Sequence, residues 1–326
     1  MILVVGATGQ LGTAVVRRLA AAGQPVRAFV RVGSRHDHLR MPGVELSFGD
    51  LRDAASVEAA CRGARVVIAT ANVIVPEGRT SFEAVEGQGY AHLIATCERE
   101  RIGQFIFVSM PQTAHDAAVP AFRYKRLNEQ RLQSSTLPYT VLRPSLFMDD
   151  WFAFIGDASV ARGAAAATIE RRYWFLQVFI NAVGGLIRQH GIALLPGSRR
   201  VRHAFIALDD VAGFIIGSIG REDMRGAIFE IGGPQVLSWD DVLAIYARLL
   251  GKPIRAISMP RRAYRVLRAL LAPFSESASG IMGLNWLVAC DTPYDANALA
   301  LRRGRQLTSA EQFLQRGDGA SRDTSR

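Results

Sequence analysis

A doubly wound parallel α/β sheet, followed by a smaller and mostly helical region, is the fold class this sequence predicts. Three observations predict it. The first half alternates short apolar strands with helical segments, a glycine-rich turn stands between the first strand and the first helix, and the second half gives up this alternation for longer helical stretches. Strands that read as apolar throughout belong to parallel sheets covered by helices on both faces.

"ILVV" is the first strand, and apolar residues at helical spacing continue from about Gln10 to Ala22. "PVRAFVR", "VELSFGD", "ARVVIAT" and "QFIFVSM" supply strands two to five. Helices are expected from about Asp53 to Arg62 and through "EGQGYAHLIATCERERI". The helix containing "AFRYKRLNEQ" comes next, and "YTVLRPS" is the sixth strand. Further on, "RRVRHAFIALDDVAGFIIGSI" reads as a short strand entering a helix, with Asp209 and Asp210 placed to cap it. "GAIFEIGGPQVLSWDDVLAIYARLLG" gives a strand, a Gly-Pro turn, a Ser238 cap and an amphipathic helix. Residues 1–150 form the first domain, with 203–235 returning to it. Residues 151–202 and 236–316 form a covering region, and the small polar tail 317–326 is expected to be disordered.

Composition narrows the function classes. With 326 residues, 49% of them hydrophobic, the chain can bury a large core as one α/β domain with an appendage or as two domains sharing a core. Cys61, Cys97 and Cys290 match no metal or redox spacing, so free thiols in a reducing compartment and no metal site are expected. The N-terminal apolar run is too short for a signal peptide and leads at once into glycines, which implies a cytoplasmic protein. The formal net charge of +10 is spread along an arginine- and alanine-rich chain with no nucleic-acid module, so no nucleic-acid partner is expected. Lys125 and Lys252 are the only lysines. In such a chain each can mark a place where arginine does not serve, although Lys252 lies in "LGKP", which reads as an exposed turn.

"GATGQLG" places Gly6, Gly9 and Gly12 directly after a strand and at the start of a helix. Glycine permits a sharp turn and close approach of a pyrophosphate, and the helix N-terminus offers amides and the positive end of its dipole. This context points to nucleotide binding on a Rossmann-type sheet. Where many NAD-binding folds keep an acidic residue for the ribose, the second strand ends in Arg31, with Arg35 close behind. Guanidinium groups suit a ribose 2′-phosphate, so NADPH is expected in preference to NADH. Gly49–Asp50 ends the third strand, where a carboxylate can face the adenine edge or simply cap the following helix. The small residues from Ala69 to Asn72 suit close passage of a cofactor.

"GATGQLG", "FVR…SR", "GDL", "FVSM", "YTVLRPSLFMDDW" and "HAFIALDDVA" together resemble the atypical short-chain dehydrogenases of the NmrA-like group. That group includes isoflavone-reductase-type enzymes and, more distantly, the nucleotide-binding accessory subunit of respiratory complex I. The resemblance covers most of residues 1–150 and about 203–260. It implies a Rossmann core with a small C-terminal substrate-binding domain over the nicotinamide end. It also implies that Gly6, Thr8, Gly9, Gln10, Leu11 and Gly12 hold the pyrophosphate, Arg31 and Arg35 the adenosine phosphate, and Asp50 and Leu51 the adenine. Ala69, Thr70 and Ala71 would flank the nicotinamide ribose, and Pro144 and Ser145 would lie near the nicotinamide. Lys125 matches the lysine that isoflavone-reductase-type members keep in the active site.

The short-chain dehydrogenase mechanism needs Tyr one helical turn before Lys, so that both share a face. Here Tyr124 and Lys125 are adjacent and point about 100° apart, so the dyad is absent. Ser109 is the candidate for its serine partner. Lys125 has three readings: proton donor or clamp for a substrate oxygen, holder of the cofactor ribose, or a surface lysine paired with Glu129. The expected function is an NADPH-preferring oxidoreductase passing hydride to an apolar carbonyl or conjugated substrate, with the aromatic stretch from Trp151 to Phe179 lining the pocket. The competing expectation is a dinucleotide-binding sensor or assembly protein without chemistry.

Two segments stand outside this pattern. Tyr173 to Ile187 is strongly apolar but shorter than the roughly 20 residues that span a bilayer. In residues 260–274, Arg261, Arg262, Arg265 and Arg268 take one side of a helical wheel. Tyr264, Val266, Leu267, Leu270, Leu271 and Phe274 take the other. Either that helix docks on the core with a solvated arginine face, or the regions 171–190 and 260–274 touch a membrane surface.

Overall fold

The computed structural model describes residues 1–73, 76, 80–161, 174–292 and 306–323. The predicted sheet is present. Strands β1 (Ile2–Val5), β2 (Val26–Val30), β3 (Val44–Phe48), β4 (Val66–Ala69), β5 (Gln104–Val108), β6 (Tyr139–Pro144) and β9 (Ala227–Ile231) lie in the order β3-β2-β1-β4-β5-β6-β9. β1 runs parallel to both neighbours, with Ile2 opposite Val26 on one side and Val66 on the other. Chain order therefore reverses between β1 and β4, the switch point where such sheets bind ligands beyond their carboxyl ends.

Helices α1 (Gln10–Ala21), α2 (Ala54–Cys61), α3 (Tyr90–Arg99) and α4 (Pro120–Gln133) connect these strands. A π-helical turn over Glu83–Gly89 leads directly into α3, so helical structure starts earlier than the sequence pattern implies. Asp53 caps α2 by accepting from the Ala55 amide at 3.2 Å.

The chain divides into two compact units. One comprises Met1–Arg143, Val211–Phe229 and Leu271–Ile281; the other comprises Pro144–Asp210, Glu230–Leu270 and Met282–Arg326. The expected return to the first domain is therefore shorter than 203–235 and is joined by a second return. Buried Gln104 shows why the first return holds. Its amide nitrogen donates to Thr140 Oγ1 at 3.2 Å and to the Ser218 carbonyl at 2.8 Å, while its oxygen accepts from the Gly220 amide at 2.8 Å. A polar residue in a fully buried strand is thus satisfied on every side.

The first unit buries Leu3, Val5, Phe29, Val67, Tyr90, Phe105, Phe107 and Leu132 in one core. Cys61 and Cys97, 36 positions apart, meet inside it with their sulfurs 3.9 Å apart, a pairing that sequence spacing did not reveal.

The second unit contains α5 (Met148–Phe154), α6 (Trp174–Val183), β7 (Ile192–Pro196), β8 (Arg202–His203), β10 (Leu237–Ser238), α8 (Trp239–Leu250) and β11 (Arg255–Met259). Of the returning helix α7 (Leu208–Gly217), it holds only the first turn. Met148, Phe152, Phe205, Trp239 and Tyr246 form its core. Trp151 and Phe152 were expected to line a pocket, but they are 8% and 0% exposed and pack into this core. Large rings dominate burial energetics, and here they are used for cohesion. Phe154 packs partly buried against the same core and Phe179 is 39% exposed, while residues 162–173 of that stretch lie outside the described residues.

Ser238 caps α8 as expected, in a reciprocal box with Asp241. At α7 the expectation is corrected. Asp209 and Asp210 sit inside its first turn, and the cap comes from Asp149, whose carboxylate accepts from the Leu208 amide at 2.8 Å. Lys252 is also more than an exposed turn residue: its ammonium caps the Arg188 carbonyl at 2.5 Å and the Gln189 carbonyl at 3.3 Å.

Helices α9 (Arg261–Leu271), α10 (Glu276–Val288) and α11 (Ala310–Asp323) follow. α11 runs through residues expected to be disordered, because buried Ala310 and Leu314 anchor its first turns and a nucleated helix propagates cheaply.

Candidate functional site

The glycine turn occupies the switch point. Gly6 has φ +87°, and a Cβ there would lie 2.5 Å from the Ala71 amide nitrogen and 2.8 Å from Thr70 Oγ1. A Cβ on Gly12 would lie 2.1 Å from the Gly6 carbonyl oxygen. Gly6 is therefore required by both backbone conformation and space, and Gly12 by space alone. Gly9 is different: it is the extended N-cap of α1, donates to the Gly6 carbonyl at 3.0 Å, and leaves a Cβ 3.3 Å from that oxygen. Thr8, Gln10 and Leu11 complete the turn, with Leu11 buried. The first-turn amides of a helix have no partner within the helix, so this turn carries a ready anion site.

The end of β4 closes against the turn. Thr70 Oγ1 donates to the Val5 carbonyl at 3.1 Å and ties the two strand ends together. Ala69 is buried, and the Ala71 carbonyl accepts from Tyr90 OH at 2.6 Å and from Lys125 Nζ at 3.2 Å. Next along the chain, buried Asn72 Oδ1 has no hydrogen-bond partner among the described residues.

At the other end of the turn, Arg31 and Arg35 stand exposed beyond β2. Asp50 is held by its neighbour: Arg52 forks onto its two carboxylate oxygens at 2.8 and 2.7 Å, which lowers the Asp50 pKa. Leu51 is buried and packs in the core of the first unit. One residue the sequence reading missed is His38. Its Nε2 lies 3.1 Å from Thr13 Oγ1, and Thr13 donates to the Ala7 carbonyl at 3.0 Å. The proton count makes His38 the donor in that chain, and burial, then Arg17, lower its pKa.

The adjacent residues Tyr124 and Lys125 separate completely. Tyr124 OH donates to Glu83 and borders a cleft of about 620 Å³ lined also by Gln112, Thr113, Asp116 and Arg123. Lys125 is 1% exposed, and its ammonium lies 3.3 Å from Glu86 Oε2. It also sits 5.3 and 5.0 Å from the ring centroids of Tyr90 and Phe107, within cation–π range. Glu86 is itself 0% exposed and accepts from the Val73 amide at 3.0 Å. Burial raises the Glu86 pKa, while Lys125 and the Val73 amide lower it.

The surface pairing of Lys125 with Glu129 is therefore replaced by a buried pairing with Glu86. Glu129 serves another cluster: it accepts from Ser109 Oγ at 2.5 Å, from Arg126 at 3.1 Å and from Arg143 at 3.1 and 2.6 Å. Ser109 is thus joined to Glu129 and not to Tyr124 or Lys125. In the second unit, Ser145 donates its amide to the Ile231 carbonyl at 2.8 Å, and its buried hydroxyl has no partner among the described residues; Pro144 precedes it at the end of β6.

A dinucleotide fits these observations. The cradle excludes any Cβ at Gly6 and Gly12, and beside it the buried amide oxygen of Asn72 has no hydrogen-bond partner among the described residues. Fold and turn together define a Rossmann-type nucleotide-binding protein. The chain belongs to the NAD(P)H-binding family, whose model matches residues 6–170. It is 27% identical to an NAD(P)H azoreductase of Xenophilus azovorans over 79% of this chain and 77% of that protein. It is 26% identical to the photosystem II assembly factor Ycf39 of Cyanophora paradoxa over 79% of this chain and 71% of that protein. The structure of Citrobacter sp. triphenylmethane reductase complexed with NADP(H) superposes with a TM-score of 0.70, covering 97% of this chain and 100% of that one. At 18% identity, that last likeness is one of fold.

Proposed function

We propose that this protein is an NADPH-preferring reductase that passes hydride to an apolar, conjugated acceptor. The observation that carries the reading is the Gly6–Gly12 cradle closed by Ala71, where the backbones approach so closely that neither glycine can take a Cβ. The azoreductase relative supports a conjugated acceptor. Arg31 and Arg35 support the phosphorylated dinucleotide, since guanidinium groups recognise a ribose 2′-phosphate by paired hydrogen bonds.

The bound nicotinamide supplies the hydride, and this chain's residues do the rest. The Gly6–Gly12 turn accepts the pyrophosphate, with Arg31 and Arg35 holding the adenosine phosphate. Lys125 acts as a positioning residue: its ammonium fixes the Ala71 carbonyl, and its partner Glu86 fixes the Val73 amide, so the pair sets the loop that closes the cradle. A proton-donor role is disfavoured by the 1% exposure of Lys125. An electron-poor azo or quinonoid acceptor suits such a site, because water can supply its proton after hydride transfer.

A non-catalytic dinucleotide-binding assembly factor is the second reading, favoured by the same sealed lysine and by the Ycf39 relative. The two differ in whether NADPH is consumed. Loss of NADPH absorbance with azo dyes and quinones supports the reductase. Tight binding without consumption across that panel selects the second reading.

A further inference from the structure

Helix α9 presents more apolar surface than the fold uses. Tyr264 is buried and Leu267 and Leu271 are half-buried, which marks the face that docks. Val266 and Leu270, one turn apart, are 55% and 62% exposed, on a flank of the helix turned away from Tyr264. Arg262 and Arg265 are exposed beside them. The outward face therefore combines an apolar strip with a guanidinium strip. In β11 just before it, Ile257 and Met259 alternate outward with 59% and 41% exposure, alongside exposed Arg255. In α6, Val178 is 59% exposed and Phe179 39% exposed.

Charge identifies the occupant. From Lys252 to Phe274 there are six basic residues and no acidic one. An apolar protein partner would match the strip but leave the guanidinium groups to be desolvated without partners. A lipid interface accepts both at once: side chains such as Leu270 enter the acyl boundary while arginines remain at headgroup level. No described helix is long and apolar enough to cross a membrane, so contact here is with a surface.

We propose that α9, with the outward residues of β11, is a docking surface for a membrane carrying anionic headgroups. Insertion of Val266 and Leu270 supplies the apolar contact, and Arg262, Arg265 and Arg255 supply the attraction to negative charge.

Co-sedimentation of the full chain tests it, with vesicles of phosphatidylcholine alone and with about a third phosphatidylglycerol. Binding is expected to the anionic vesicles and to weaken at about 0.5 M salt. Val266→Glu with Leu270→Glu, and separately Arg262→Glu with Arg265→Glu, should each lower the partition coefficient about tenfold or more. Both double variants alter exposed residues, so unchanged melting temperature and NADPH binding serve as fold controls. Wild-type protein that stays in the supernatant with anionic vesicles overturns the proposal. So does vesicle binding that neither double variant reduces. Concentration-dependent dimerisation that V266E/L270E abolishes, without vesicle binding, assigns the face to a second copy instead.

Discussion

Lys125 Nζ lies 3.3 Å from Glu86 Oε2, with both side chains sealed from solvent inside the nucleotide-binding unit. Breaking one half of such a pair leaves an uncompensated buried charge. Lys125→Met should therefore destabilise the fold by about 3–5 kcal/mol, and Glu86→Gln with Lys125→Met should recover most of that loss. Denaturant unfolding of the singles and the double checks this. A double variant no more stable than Lys125→Met alone would refute the coupling.

The positioning role proposed for Lys125 makes a separate prediction. In the double variant the Ala71 carbonyl keeps its Tyr90 bond but loses the ammonium. NADPH affinity should fall while the turnover number at saturating NADPH changes little. A proton-donor role would instead lower the turnover number and leave affinity intact, so steady-state kinetics separate the two.

The glycines should differ in tolerance. Gly12→Ala forces a Cβ against the Gly6 carbonyl, and Gly6→Ala meets both a positive φ and the Ala71 backbone. Each should abolish NADPH binding as measured by fluorescence titration. Gly9→Ala, with 3.3 Å of clearance, should keep the fold and lose binding only through crowding of the phosphate.

Arg31→Asp should reverse the dinucleotide preference, replacing a phosphate partner with a ribose-hydroxyl acceptor. Competitive titration of NADPH against NADH reads this directly. Equal affinity for the two in the unmutated protein would remove the arginine argument.

The second unit contains two opposed titrations. Burial lowers the His203 pKa from 6.5 to about 4, so the unfolded chain takes up its proton first and stability falls as pH drops through that window. Burial raises the Asp149 pKa from 3.8 to about 7, so the folded protein holds that proton and stability rises as pH drops from about 7. The two slopes oppose each other between about pH 4 and 6.5. Asp149→Asn keeps an acceptor for the Leu208 amide and removes one slope. Compared with wild type, the variant should lose stability more steeply on acidification, as read from urea midpoints.

Much of the sheet was legible from residue pattern alone. Strands such as "ILVV" and the "FIFV" of the fifth strand are apolar because both faces are covered, and the glycines at 6 and 12 reflect clashes that a Cβ would create there. The absence of a Tyr–Lys dyad was also legible, since helical geometry separates adjacent residues. The partners of the site were not. Glu86 lies in "VEGQGY" with no local sign that it faces an ammonium 39 positions away in sequence, and Glu129 offered a nearer partner at helical spacing. His38 and Thr13 meet only because the loop after β2 folds back onto α1.

The docked and undocked faces of α9 divide along the same line. A helical wheel puts six apolar residues together, but only packing decides that Tyr264 goes inward while Val266 and Leu270 stay in water. The sequence by itself determined the element order, the nucleotide-binding turn and the lack of a dyad, because these depend on periodicity and on backbone space within a few residues. Only the tertiary structure decided what Lys125 touches. A buried charge is paired by whichever opposite charge the packed elements bring near, and that choice is made between distant segments of chain.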